Sequence, residues 1–196
     1  MVGVPNHLNW ITFSKNLSNS QYLLRVITYI NIRLLNLHFS LCKDIFDHRD
    51  ISCISFFNCS SIYFLINVCS DSSQIALKYL KNTKANMNNI LIMIGNFNIR
   101  NSFWNPLFLN HLIYSDILTD IADSLNLCIS STTIQVPIKY VDNLNDSNSV
   151  IDLMFLQLNS DKFDNHIIYL DWRLLSDHAL LIVKISIFEE HIQTRK

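Results

Sequence analysis

The sequence predicts an α/β or α+β domain built on a central sheet, and three observations lead there. Segments rich in β-branched and aromatic residues outnumber helical stretches. The helical stretches fall between strands. One wholly apolar run, ILIMI at 90–94, has the make-up of a strand buried on both faces. The chain has 196 residues, 49% of them hydrophobic and 16% charged, which suits one domain with a substantial core. A net charge of −1 and a positive mean hydropathy exclude a disordered acidic or basic tail protein, because such chains lack the apolar area to offset ordering entropy. Two Gly stand where average usage gives roughly 14, Asn numbers 23, and the only glutamates are Glu189 and Glu190.

Taken in order, 23–33 (LLRVITYINIR) is a strand. Residues 51–70 carry no charge over about the length that spans a bilayer. Asn58, Ser60, Ser61 and Asn67 interrupt the run, however, so two strands, 51–57 and 62–68, joined at Asn58-Cys59-Ser60-Ser61 as a hairpin, explain it better than a membrane helix. Residues 71–85 form a helix that Asp71-Ser72-Ser73 opens as an N-cap, with Ile75, Ala76, Tyr79 and Leu80 at helical spacing. ILIMI ends on Gly95, where a buried strand opens into a loop. A second amphipathic helix covers 114–127, beginning at Ser115-Asp116, and a brief strand covers 127–130. The most polar loop, 141–149, leads to strands at 150–156, 166–170 and 179–188.

The five cysteines are odd in number and have no CxxC pair, so they read as buried free thiols of a reducing compartment rather than a zinc site. No signal peptide is visible, which predicts an intracellular protein, nuclear or cytoplasmic. His7, His38, His48, His111, His166 and His191 lack metal-ligand spacing and read as surface or satisfied loop residues. Trp10, Trp104 and Trp172 are weighed as base-stacking residues against core packing, with Trp104, in the loop past Asn98, the best stacking candidate. Arg100, Lys139 and Arg173 are candidate phosphate contacts, and no basic stripe supports tight DNA binding.

Three segments put polar residues at the ends of apolar strands, where sites are usually built. They are Gly95-Asn96-Phe97-Asn98, Ser149-Val150-Ile151-Asp152-Leu153 and Ser176-Asp177-His178; Asp152 follows Asn98 by 54 positions, and Asp177 follows Asp152 by 25. In this order and spacing the chain resembles the endonuclease/exonuclease/phosphatase superfamily. More narrowly, ILIMIGNFNIRNSFW, SNSVIDLMF and LLSDHALLIVKI are similar to the endonuclease domain that precedes the reverse transcriptase in LINE-type non-LTR retrotransposons, whose usual forms run GDFN, SxIDL and SDHxP. The resemblance implies a DNase I-like αββα four-layer sandwich and hydrolysis of a DNA phosphodiester dependent on Mg²⁺ or Mn²⁺. It implies His178 as the phosphate-contacting histidine and Asp152 as the carboxylate orienting it. Asp177 would hold the metal or position water, Asn98 would donate a hydrogen bond to the phosphate, and Ser176 would support them. Asn67 and Trp104 complete the substrate-binding set.

Several departures predict a compromised catalyst. Asn96 replaces the family aspartate, and an amide is no base and a poorer ligand for a hard cation. Cys69 stands for a tyrosine, Ile138 for a threonine and Leu180 for a proline. The Asp-to-Asn, Thr-to-Ile and Pro-to-Leu changes are each one transition toward A or T, as in a decaying mobile-element copy, although Tyr-to-Cys runs the other way. The family's metal-binding glutamate lies on an early strand, and no glutamate precedes Glu189. The expectation is an N-terminally truncated copy lacking the first strand or strands, with 1–22 a lead-in, 23–188 the nuclease-like domain and 189–196 a tail or the stub of a linker to a reverse transcriptase. Two functional readings follow: an impaired DNA endonuclease, or a catalytically dead remnant acting at most as a weak nucleic-acid-binding or interaction module.

Overall fold

The computed structural model describes residues 9–13, 26–31, 38–58, 61–83, 89–99, 101–104, 113–129, 152–157, 169–171 and 180–182. Its centre is the expected hairpin. β4 (Ile51–Asn58) and β5 (Ser61–Cys69) pair antiparallel in unbroken register from Ile51 opposite Val68 to Asn58 opposite Ser61. The uncharged stretch is therefore two strands, and no described helix is long and apolar enough to cross a membrane.

β6 (Ile90–Asn96) lies parallel to β5, and α1 (Ile75–Asn82) lies between them in the chain. β8 (Asp152–Gln157) runs antiparallel to β6 and carries β7 (Leu127–Ile129) on its outer side, while β3 (Phe39–Leu41) borders β4. The result is a mixed six-stranded sheet in the order β3-β4-β5-β6-β8-β7. Two further antiparallel pairs are β1 (Trp10–Phe13) with β2 (Thr28–Asn31), and β9 (Tyr169–Asp171) with β10 (Leu180–Ile182). β1 lies in the segment expected to be only a lead-in.

Strand alternation gives the large sheet two apolar faces. On one, Ile51, Cys53, Ile66, Val68, Met93, Leu153 and Phe155 pack under α1 and α2 (Ile113–Ser124), which contribute Ala76, Leu77, Leu80, Leu118, Ile121 and Ala122. On the other, Phe56, Tyr63, Leu91, Ile92, Met154 and Leu156 form a second cluster, with Phe39, Leu65 and Ile94 against it. ILIMI is thus buried on both faces. A register shift between Phe64 and Leu65 in their pairing with β6 accounts for Leu91 and Ile92, adjacent in sequence, sharing one cluster.

Two helix expectations need correction. α1 begins at Ile75 because the Asp71 carboxylate accepts hydrogen bonds from the Ser73 N–H and hydroxyl, closing a local turn instead of capping a helix. Its buried stripe is Ala76, Leu77 and Leu80, while Ile75 is exposed. α2 ends at Ser124, where Asn126 takes a left-handed conformation (φ 57°) and turns the chain into β7. The thiols also differ from expectation: of the described free cysteines only Cys53 is buried, Cys42 and Cys69 are half-buried, and Cys128 is exposed.

Candidate functional site

The sheet order brings the motif residues together. β5 and β6 run parallel and end side by side, at Cys69 opposite Asn96, and β8 begins there, with Asp152 opposite Asn96. Asn67 lies two residues before Cys69, opposite Ile94, and alternation puts it on the same face as Tyr63 and Leu65. By the same parity Asp152 shares the face of Met154, and Asn96 that of Ile94. Residues from three strands, 29 and 56 positions apart in sequence from Asn96, thus meet at one end of one sheet face.

Gly95 makes the approach of β5 and β6 possible. Its φ is +151°, and a Cβ there would overlap the Val68 carbonyl oxygen, so no side chain fits. One residue later the Asn96 carbonyl accepts a 2.7 Å hydrogen bond from the Ser70 N–H, which carries the pairing past the strand ends. The Asn96 side chain turns onto its own loop: Oδ1 accepts from the Asn98 N–H at 3.0 Å. Asn98 sits in the left-handed region (φ 50°) and is exposed, between the fully buried Phe97 and Ile99. Phe97 meets Phe155 of β8 edge-on at 5.7 Å. The strand end therefore anchors two apolar side chains in the core and lifts the amide between them into solvent.

Asn67, half-buried, donates from Nδ2 to Thr28 Oγ1 at 3.2 Å, tying β5 to β2. Across the β4–β5 pair, Ser52 faces Asn67, and its buried hydroxyl has no hydrogen-bond partner among the described residues. Where the chain enters β4, the buried Asp50 places Oδ2 3.5 Å from Arg49 Nε and 3.9 Å from His48 Nδ1, and its carbonyl accepts from the Cys69 N–H. Trp104, weighed as a stacking residue, is fully buried in the helix-side core and donates from its indole N–H to the Ile99 carbonyl at 3.1 Å. In that position its ring offers no face to a base. Asp177, His178 and Ser176 lie outside the described residues, as do Arg100, Lys139, Trp172 and Arg173.

No protein-family model and no curated protein matches the sequence. Among solved structures, the endonuclease domain of TRAS1, a telomere-specific non-LTR retrotransposon, superposes with a TM-score of 0.56 at 17% identity, over 74% of this chain and 64% of that one. The fold is DNase I-like. This chain accordingly spans less than two thirds of that domain's length. D. rerio TDP2, in complex with single strand DNA product, aligns over 87% of this chain and 72% of its own at 14% identity and a TM-score of 0.44. Within the DNase I-like fold, the mixed sheet with α1 and α2 on one face matches a partial sandwich, the architecture that the motif order implied.

Sequence reasoning missed Gln74, Ser70 and Thr28 at this end of the sheet. Gln74 is buried and donates from Nε2 to the carbonyls of Phe97 and Asn98, both at 3.3 Å, while its Oε1 accepts from Ser70 Oγ at 2.7 Å. No local pattern marks such a glutamine, because its carbonyl partners lie 23 and 24 residues away.

As for a metal, no group of three or more His, Cys, Asp or Glu among the described residues could hold an ion. Asp152 supplies one carboxylate beside the neutral amides of Asn96 and Asn67. A hard cation such as Mg²⁺ takes oxygen ligands and favours charged ones, so this described set does not by itself fit it.

Proposed function

We propose that the chain is a DNase I-like domain of the retroelement endonuclease type, that it contacts the phosphodiester backbone of DNA at the Asn67, Asn96, Asn98 and Asp152 end of the sheet, and that its hydrolytic activity is lost or severely reduced. The observation that carries this is the register of β6 and β8, which sets Asn96 directly opposite Asp152. The sheet keeps the geometry of a strand-end site, while position 96 holds an amide where the resembled family has a carboxylate. Loss of a positioned general base costs roughly 10²–10⁴ in rate.

On this reading Asn98 donates a hydrogen bond to a phosphate oxygen, His178 contacts the same phosphate with Asp152 orienting it, and Asp177 is what remains of the metal site for Mg²⁺ or Mn²⁺. Binding is weak, because the net charge is −1 and the affinity of nucleic-acid binders rests largely on phosphate neutralisation. The retroelement origin and the DNA substrate make an intracellular location, nuclear or cytoplasmic, part of the same proposal.

The test is supercoiled-plasmid nicking with Mg²⁺ or Mn²⁺, beside a Mn²⁺-binding titration. The native chain is expected to show no cleavage above a metal-free blank, and Asn96→Asp to bind Mn²⁺ about tenfold more tightly, the effect of restoring one carboxylate ligand worth ~1.4 kcal/mol. Robust metal-dependent nicking by the native chain that disappears in His178→Ala would overturn the inactive reading in favour of a working endonuclease.

A further inference from the structure

We propose that Gln74 is the positioning residue of this site, a buried bracket that fixes the loop carrying Asn98 to the end of β5 so that the Asn98 amide is presented in one orientation. The proposal rests on the reading of Asn98 as a phosphate contact, and it concerns what holds that contact in place.

Three features support it. Gln74 occupies the left-handed region (φ 55°, ψ 30°), which disfavours a side chain with a Cβ, yet it is 2% exposed. It stands at the N-cap of α1 without making a side-chain cap, so its amide is not serving the helix. Instead that amide satisfies three groups from two loops: the Ser70 hydroxyl after β5 and the Phe97 and Asn98 carbonyls after β6. With the Ser70 N–H bonded to the Asn96 carbonyl and the Asn98 N–H to Asn96 Oδ1, these bonds join residues 70 and 74 on one side to 96 to 98 on the other, beyond the last β5–β6 pair at Cys69 and Asn96. A group with a donor and an acceptor on one short planar head bridges a hydroxyl and carbonyls here, which is what a glutamine offers and an ionised glutamate or a methionine does not.

The experiment follows the Asn98 backbone and side-chain amide resonances by NMR, and titrates oligothymidylate against the native chain and variants. Gln74→Met keeps the side chain's length and removes the hydrogen bonds. It is expected to move the Asn98 resonances, leave those of the β4–β5 hairpin in place, and weaken oligothymidylate binding about tenfold, the scale of one or two lost hydrogen bonds. Gln74→Glu puts a carboxylate against two carbonyls; it is expected to show the same loss where that carboxyl is ionised and to recover as the pH is lowered, because protonation returns an O–H donor, and burial together with carbonyl repulsion raises the carboxyl above its ordinary ~4.3. The native chain titrated in parallel supplies the baseline, and a residue that merely filled space would give no such recovery. Ser70→Ala, which only frees one end of the bracket, is expected to shift Asn98 in the same direction by less, and it decides the matter should the Gln74 variants not fold. Unmoved Asn98 resonances in these variants, or a Gln74→Glu loss that acid does not reverse, would overturn the proposal. A native chain that ignores oligothymidylate would sink the phosphate reading alone, and the Asn98 resonances would still decide whether Gln74 holds the loop.

Discussion

At the residue scale the site end of the sheet depends on a few atoms with no room to change. Gly95 is the clearest. A methyl group there would overlap the Val68 carbonyl, in backbone that cannot move without breaking the β5–β6 pairing, and φ +151° is outside the range L side chains adopt. Gly95→Ala is therefore expected to destabilise the chain by at least about 3 kcal/mol, read as a lower denaturation midpoint in urea. Ser52 gives the opposite sign. Its buried hydroxyl has no partner among the described residues, so Ser52→Ala is expected to be neutral or to stabilise by up to about 1 kcal/mol in the same measurement. A loss of more than that would show that the hydroxyl is bonded after all. Asparagine takes over much of glycine's conformational role in this glycine-poor chain: Asn89, Asn98 and Asn126 all have positive φ, and each stands next to or just beyond a strand. A short polar side chain tolerates that region better than most, which gives part of the asparagine surplus a structural use.

At the scale of elements, the α1–α2 layer rests on burial more than on charge. Leu77 is fully buried, and Leu77→Ala is expected to cost about 3 kcal/mol. The exposed Lys81–Asp120 pair joins the two helices at 2.9 Å, yet Lys81→Ala is expected to cost under about 0.5 kcal/mol, because solvent screens it. Thermal denaturation of the two variants compares them directly. Elements with strong periodicity were legible in the sequence: the β4–β5 hairpin, ILIMI and the two helices all stand close to where their apolar patterns put them. β1 (WITF) and β3 (FSL) were not, since three or four residues hold too little pattern and their pairing with β2 and β4 is decided by partners distant in the chain. α1 starts later than its sequence pattern predicts because Asp71 bonds Ser73 locally and the N-cap residue, Gln74, turns its side chain away from the helix. Site residues followed the same division. Asn96, Asn98 and Asp152 are candidates in the sequence because their segments, polar residues at the ends of apolar strands, fall in the order and spacing of the resembled motifs. Gln74 and Thr28 were invisible because only tertiary contacts give them a role, and Trp104 shows the reverse, an aromatic near a motif whose ring belongs to the core.

At the scale of the whole molecule, the strand order has a kinetic consequence. The β4–β5 hairpin closes across two residues, whereas the β6–β8 pairing joins Asn96 to Asp152 across 56 positions. Loop-closure entropy makes the local pairing early and the distant one late. Truncations in the hairpin core, such as Ile54→Val, are expected to slow folding with φ-values above about 0.5, while Leu153→Ala in β8 is expected mainly to speed unfolding, as stopped-flow chevrons would show. The candidate site straddles that late junction, with Asn67 and Asn96 on the early side and Asp152 on the other. A chain that stalls before β8 docks keeps its hairpin and has no site.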